Sequence, residues 1–194
     1  MRNTKLITMI EGAIIAGVCV ALSFIPINTA NAAFDLSLGL IPLLVYSLRR
    51  GALPGMAVGL IWGLLLIVLG KAYILAIPQV LLEYPIAFAF GGLGGIFSGR
   101  LQKRGAIFSD RLQNRSAVLT VIFVALVSAG ARWFFHFWAG VIFWGSYAPE
   151  GMNPYLYSFL FNGASAAANG IMLSVLLIVL LRTAPRIFNP KLGT

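Results

Sequence analysis

The residues with chemistry to offer are few, and most fall in one stretch, Arg132 to Trp144 (R-W-F-F-H-F-W-A-G-V-I-F-W). It holds the only histidine of the chain, His136, and three of the four tryptophans, Trp133, Trp138 and Trp144. Arg132, His136, Gly140 and Trp144 recur at intervals of four. On a helix each step of four drifts by only about 40°, so the series forms one slowly turning face. A charge, an imidazole, a gap and an indole on one face of an apolar helix point away from lipid and toward a small-molecule site. Trp133 and Trp138 lie off that face and are expected to meet lipid or neighbouring helices. Trp144 suits an interfacial aromatic belt as well as a ligand box. Arg132 lies deeper, placed to neutralise a carboxylate, to meet a phosphate or simply to pack.

Glu83 is the second centre. It follows Val80-Leu81-Leu82 and precedes Pro85-Ile86-Ala87, whereas the other acids are read as lying toward a chain end or in loops. A carboxylate inside an apolar span is costly and marks a functional site by default. The competing uses are an ion pair with Arg132 or an interfacial position in water. A carboxylate here suits a cation or an amino-heterocycle that donates hydrogen bonds, and aromatic faces around it attract a flat cationic ring. Asn162 and Asn169 lie in a later apolar run, where a buried amide must bond a neighbouring helix or a ligand.

Other chemistries lack their residues. One His and one Cys, Cys19, cannot build a metal cluster, and five scattered acids offer no Ser-His-Asp set. No G-x-x-x-x-G-K-S/T phosphate loop occurs. The expectation is therefore no catalytic residue, no metal, no cofactor and no enzymatic activity. An actively moved solute would draw its energy from a partner or an ion gradient. The excess of Lys and Arg (14) over Asp and Glu (5) is not interleaved with exposed aromatics, so nucleic acid is not an expected partner.

The elements that must position these residues are membrane helices. The 194 residues are 60% hydrophobic and only 10% charged, with a mean hydropathy of +0.94; soluble domains are about 25% charged. A spanning helix needs about 20 residues. Six apolar runs are read, at about 6–27, 37–48, 54–69, 79–97, 117–144 and 155–181, as a single all-α bundle covering 1–194. The second run is short and interrupted by Pro42. The third carries Gly55, Gly59 and Gly63, a small-residue stripe that lets a neighbour approach closely; the fourth ends in a cluster at Gly91, Gly92, Gly94 and Gly95. With the N-terminus cytoplasmic, twelve basic residues fall in cytoplasmic segments and only Lys71 in an outer loop. This positive-inside asymmetry predicts six helices with both termini inside. Phe34, Tyr73, Glu83, Tyr84, Trp144, Tyr147, Tyr157 and Asn162 then gather on the outer half.

Five segments carry a resemblance: I-P-L-L-V-Y-S-L-R-R-G (41–51), G-L-I-W-G-L-L (59–65), G-K-A-Y-I-L (70–75), Q-V-L-L-E-Y-P (79–85) and F-F-H-F-W-A-G-V-I-F-W-G-S-Y (134–147). Together they resemble the thiamine-specific substrate-binding membrane subunits of energy-coupling-factor transporters, over nearly the whole chain. The E-Y and H-x-x-x-G-x-x-x-W blocks are its specific parts. The resemblance implies a six-helix protein of a prokaryotic plasma membrane. It would bind thiamine with high affinity near the outer face and dock on one transmembrane coupling subunit and two ATPases. It assigns Glu83 and Tyr84 to the aminopyrimidine and His136 and Trp144 to the thiazolium. Gly140 would leave room between them, Tyr157 and Asn162 would add polar contacts, and Tyr73 would close the site. The first outer loop acts as a lid in this family and usually bears a tryptophan; this chain offers Phe34. The family's first helix presents small residues to the coupling subunit, and Ala13 and Gly17 have that spacing, which ordinary packing inside the bundle would also explain.

Other readings remain. A related vitamin, such as a precursor pyrimidine, could use the same scaffold. A stand-alone proton- or ion-coupled carrier would use Glu83 or His136 as relay, although no internal repeat of the kind many carriers show is evident. A membrane enzyme lacks the catalytic groups.

Overall fold

The computed structural model describes residues 4–25, 27, 36–103 and 115–188, and among them there is helix and turn but no strand. Helix α1 is Thr4–Leu22, α2 is Leu40–Arg50 and α3 is Ala52–Val68. Helix α4 covers 77–103 in five pieces of differing pitch. Helix α5 is Arg115–Phe143 and α6 is Pro154–Thr183. Local chemistry sets these limits. Gly51 turns the chain between α2 and α3 at φ 99°, and Gly70 ends α3 at φ 68°, conformations that cost glycine little. Asn153 caps α6, its side chain accepting from Tyr155 N, and Pro154 takes the first helical position.

Four helical stretches among the described residues are long and apolar enough to cross a membrane: α1, most of α4, α5 and α6. Helix α3, with 17 residues, is shorter. Helix α2 occupies 40–50, against the apolar run expected at 37–48. It has 11 residues, so it is only about 16 Å long against an apolar bilayer core of about 30 Å. The turns at Leu38–Gly39 and Gly51 stop it at both ends. Its role is central packing: Leu40, Leu43, Leu44 and Leu48 are fully buried. The outside of the bundle is the inverse of a soluble surface. Leu53 and Val68 are each 81% exposed, which lipid tolerates and water does not.

Helices α3 and α4 touch backbone to backbone. A Cβ built on Gly59 would fall on the carbonyl of Phe88, one on Gly63 would meet the carbonyl of Tyr84, and one on Gly92 would strike the backbone of Gly55. The glycine stripe of α3 and the glycine cluster of α4 are thus two sides of one contact, which only residues without side chains permit. Helix α4 is irregular where it bears Glu83. Leu82–Ile86 forms a π-helical turn with Pro85 inside it. Proline has no N–H to give the preceding turn, and its ring crowds the carbonyl there. A widened turn absorbs that misfit, and such turns mark functional positions often.

The basic end of the bundle closes on a second membrane-helix acid. Glu11, within α1, meets Arg49 Nε at 2.9 Å and Arg50 NH2 at 2.6 Å. This corrects the reading of Glu83 as the one acid inside an apolar run. Gln102 adds bonds of 3.0 Å to the carbonyls of Leu48 and Arg49. The cluster ties α1, α2 and α4 together and leaves the other end free to be a site.

Candidate functional site

Opposite the basic end, α1 and α3 finish, α4 begins, and α5 ends beside α6. Two cavities meet there. The larger, about 280 Å³, is lined by residues that include Ser23, Ser37, Lys71, Glu83, Tyr84 and Phe88. The smaller, about 110 Å³, is lined by Trp133, Asn162, Ser165 and Asn169 among others. Arg132 and His136 border both. The larger alone approaches the lower end of small-molecule pocket volumes, about 300 Å³.

Glu83 is held from two sides. Trp144 Nε1 donates to its Oε1 at 2.7 Å across 61 positions of sequence. Gln79, one helical turn before it and fully buried, donates through Nε2 to Oε2. The same amide nitrogen donates to the carbonyl of Tyr73 at 3.2 Å. Its Oε1 accepts from Leu75 N at 2.9 Å and Ala76 N at 3.5 Å. Tyr73 N in turn donates to Tyr84 Oη at 3.0 Å, and the Tyr73 and Trp144 rings lie 5.3 Å apart. The 70–76 segment, Glu83, Tyr84 and Trp144 are therefore one hydrogen-bonded unit. The π-helical turn brings Glu83 and Tyr84 to it together, and the Gly63 contact at the Tyr84 carbonyl anchors that turn to α3.

Arg132 is 7% exposed, with its guanidinium 4.4 Å from the centre of the Phe88 ring. That stacking lets a buried cation border the cavities at reduced cost. Asn169 Oδ1 accepts from Ser37 N at 2.9 Å, and its Nδ2 donates to Ser165 O at 2.8 Å. The amide thus fastens the described end of the α1–α2 connection to α6. Asn162 Nδ2 donates to Ser158 Oγ at 3.1 Å and reaches the smaller cavity.

Among the expected site residues, the structure brings Glu83, Tyr84, Arg132, His136 and Asn162 to the cavity walls, Trp144 onto the Glu83 carboxylate and the Tyr73 ring against Trp144. Gly140 is placed differently. It faces α6, where a Cβ would fall on Ser158 Oγ and 2.8 Å from Asn162 Nδ2, so its missing side chain serves the α5–α6 crossing. Tyr157 lines neither cavity, and its ring lies 4.6 Å from Phe161. Trp133, expected against lipid or packing, lines the smaller cavity. Steps of three also keep helical neighbours on one side, and counting only in fours from His136 passed over Trp133. Phe34 lies outside the described residues. In sequence Lys71 reads only as an outer-loop charge, and Gln79 carries no assigned role. The signal for Gln79 was its place four residues before Glu83 and three after Ala76, where an amide reaches back to a helix N-cap.

On the far side of α1, Gly12 and Ala16 are buried, Gly12 against Tyr46 and Val58. Ala13 and Gly17 are exposed, and nothing lies within 4 Å of a Cβ built on Gly17. Packing inside the bundle therefore does not account for their spacing.

Exposed apolar helices around a polar cavity, with a carboxylate, an arginine and a histidine on its walls, define a helical membrane protein with a small-molecule site between its helices. Comparison with known proteins names its relatives. A family model described as thiamine transporter protein matches residues 9–189. Thiamine transporter ThiT of Lacticaseibacillus paracasei is 39% identical over 195 residues, spanning 99% of this chain and 95% of the relative. Thiamine transporter ThiT of Bacillus subtilis is 28% identical over 190 residues, 97% of each chain. A solved structure of ThiT from Listeria monocytogenes matches with a TM-score of 0.89 at 38% identity, covering 97% of this chain and all of that one. The chain belongs to the thiamine transporter protein family, and it is a multi-pass membrane protein.

Proposed function

We propose that this chain binds thiamine in the cavity beside Glu83 and serves as the substrate-binding subunit of an energy-coupling-factor uptake system in the cell membrane. The observation that carries the reading is the Glu83 carboxylate held at 2.7 Å from the Trp144 indole nitrogen, beside a cavity walled by Tyr84 and His136. Thiamine has a permanently cationic thiazolium and an aminopyrimidine that donates hydrogen bonds. A carboxylate satisfies the donors, and aromatic faces attract the cation. Relatives named thiamine transporters along the full length of the chain support this choice of ligand.

In this reading Glu83 and Tyr84 take the aminopyrimidine, His136 and Trp144 flank the thiazolium, and Asn162 adds a polar contact. Tyr73 covers the site, and Phe34 belongs to the lid. The protein crosses the membrane six times with both termini inside, α2 and α3 together providing the short crossings. It holds no cofactor and catalyses no reaction. A transmembrane coupling subunit and two ATPases supply the energy and dock on the exposed Ala13–Gly17 face of α1. The chain itself has no phosphate-loop sequence to use ATP by that route.

The test is a titration of the purified protein alone with thiamine, followed by tryptophan fluorescence, with pyrimidine and thiazole fragments as competitors. Quenching at nanomolar to micromolar thiamine is the expected result. Absence of a response overturns the thiamine reading, and an ion-dependent response to some other solute would favour a stand-alone carrier.

A further inference from the structure

We propose that Gln79 is a positioning residue that reserves one oxygen of Glu83 and leaves the other to be exchanged between Trp144 and the ligand; this rests on the reading of Glu83 as a ligand contact. Four hydrogen bonds converge on the Gln79 amide. Its Oε1 accepts from the backbone N–H groups of Leu75 and Ala76, and its Nε2 donates to the Tyr73 carbonyl and to Glu83 Oε2. Full burial of the side chain is the fifth constraint, because no water is at hand to replace a lost partner. The orientation of the amide is therefore determined. Reversing it would set an amide oxygen against a carboxylate and a carbonyl, and an N–H₂ against two N–H donors.

The two carboxylate oxygens of Glu83 consequently differ. Oε2 is bound to an element that starts at the same helix terminus and cannot leave without breaking the 73–76 segment. Oε1 is bound to Trp144 at the end of α5, 61 positions away in sequence, through an indole that is only half-buried. A ligand donor such as an amino group on a heterocycle takes Oε1 by displacing the indole N–H, while Gln79 keeps the carboxylate plane fixed. Tyr73 shares this unit twice, through its carbonyl on Gln79 and its N–H on Tyr84. The segment over the site and the carboxylate in it therefore hold one geometry between them. A carboxylate preorganised in this way costs the ligand less ordering on binding.

A double-mutant cycle on the full-length purified protein tests the assignment, with thiamine as the probe and tryptophan fluorescence and thermal unfolding as readouts. Gln79→Ala in the wild-type background should weaken thiamine binding about tenfold or more, the effect of losing a hydrogen bond to a charged group. In a Glu83→Gln background the same change should cost about twofold or less, because the carboxylate it orients is gone. Gln79→Glu keeps acceptors for the Leu75 and Ala76 N–H groups but removes the donor to Glu83, and it should lose at least as much affinity as Gln79→Ala in the wild-type background. Should Gln79→Ala fail to fold, Gln79→Glu in the two backgrounds gives the same comparison. Wild-type affinity in the Gln79 variants overturns the proposal. So does an equal loss in both backgrounds, which would mark a purely structural residue. A wild-type protein that does not bind thiamine overturns the functional reading beneath it, and the two failures are told apart by that control.

Discussion

Trp144 and Glu83 are joined by a 2.7 Å hydrogen bond from the indole N–H to a carboxylate oxygen. The bond links the end of α5 to the π-helical turn of α4. It occupies one oxygen of a carboxylate that lines the larger cavity. In the proposed reading, binding and the arrangement of these two helices are connected through one side-chain pair.

Replacing Glu83 by Gln should weaken thiamine binding by about 2–3 kcal/mol. The variant keeps the shape but loses the charge, and a hydrogen bond to a charged group is worth about 1.5–3 kcal/mol. Isothermal titration measures it. An unchanged affinity would place Glu83 at the periphery.

The indole should matter as a ring more than as a donor. Trp144→Ala and His136→Ala each remove a face from the cation and should cost about 1–2 kcal/mol of binding free energy. Trp144→Phe retains a face and frees the Glu83 oxygen, so it should lose less than Trp144→Ala. A Phe variant as weak as the Ala variant would assign the effect to the N–H group instead.

Two glycines should behave oppositely in thermal unfolding. Gly140→Ala puts a methyl group onto Ser158 and Asn162 and should destabilise by about 1–3 kcal/mol as α5 and α6 are forced apart. Gly17→Ala meets nothing within 4 Å and should be neutral or stabilising by up to about 1 kcal/mol, through helix propensity. Equal melting temperatures for the two variants would contradict this packing.

Bulk on the exposed face of α1 should separate binding from transport. Ala13→Trp and Gly17→Trp point away from the site and should bind thiamine as the parent does, yet block uptake in cells. Uptake at the normal rate would remove this face from the docking surface.

The charge asymmetry predicts an orientation that labelling can read. In a Cys19→Ser background, a cysteine in place of Lys71 should react with a membrane-impermeant thiol reagent on intact cells. One in place of Arg186 should react only after permeabilisation. The reverse pattern would invert the topology.

Membrane character was legible from composition, because nothing but lipid tolerates a chain with so few charges and so many large apolar residues. Glu83, Arg132, His136 and Asn162 were legible as candidates because polar groups are expensive in apolar runs and so announce themselves, whereas Tyr84 was marked by the resemblance. The glycine stripe of α3 was also readable, since repeated small residues have few uses besides close approach. Its partner was not. That the stripe meets the carbonyls of Phe88 and Tyr84 depends on how α4 crosses α3. The shortness of the second run was legible too, but its burial among the other helices was not, because a helix packed in protein and one facing lipid are equally apolar in sequence.

What the sequence determined by itself, then, was the solvent in which this protein folds and the side chains able to do chemistry there, because both follow from residue types and local spacing. Only the tertiary structure decided which of them meet. It turned Gly140 toward α6, brought Trp133 to a cavity wall and showed Glu11 among two arginines. It also joined Gln79, Glu83 and Trp144 into one unit. Those outcomes rest on helix crossings and on the π-helical turn at Pro85, which set the direction of each side chain through contacts far apart in the chain.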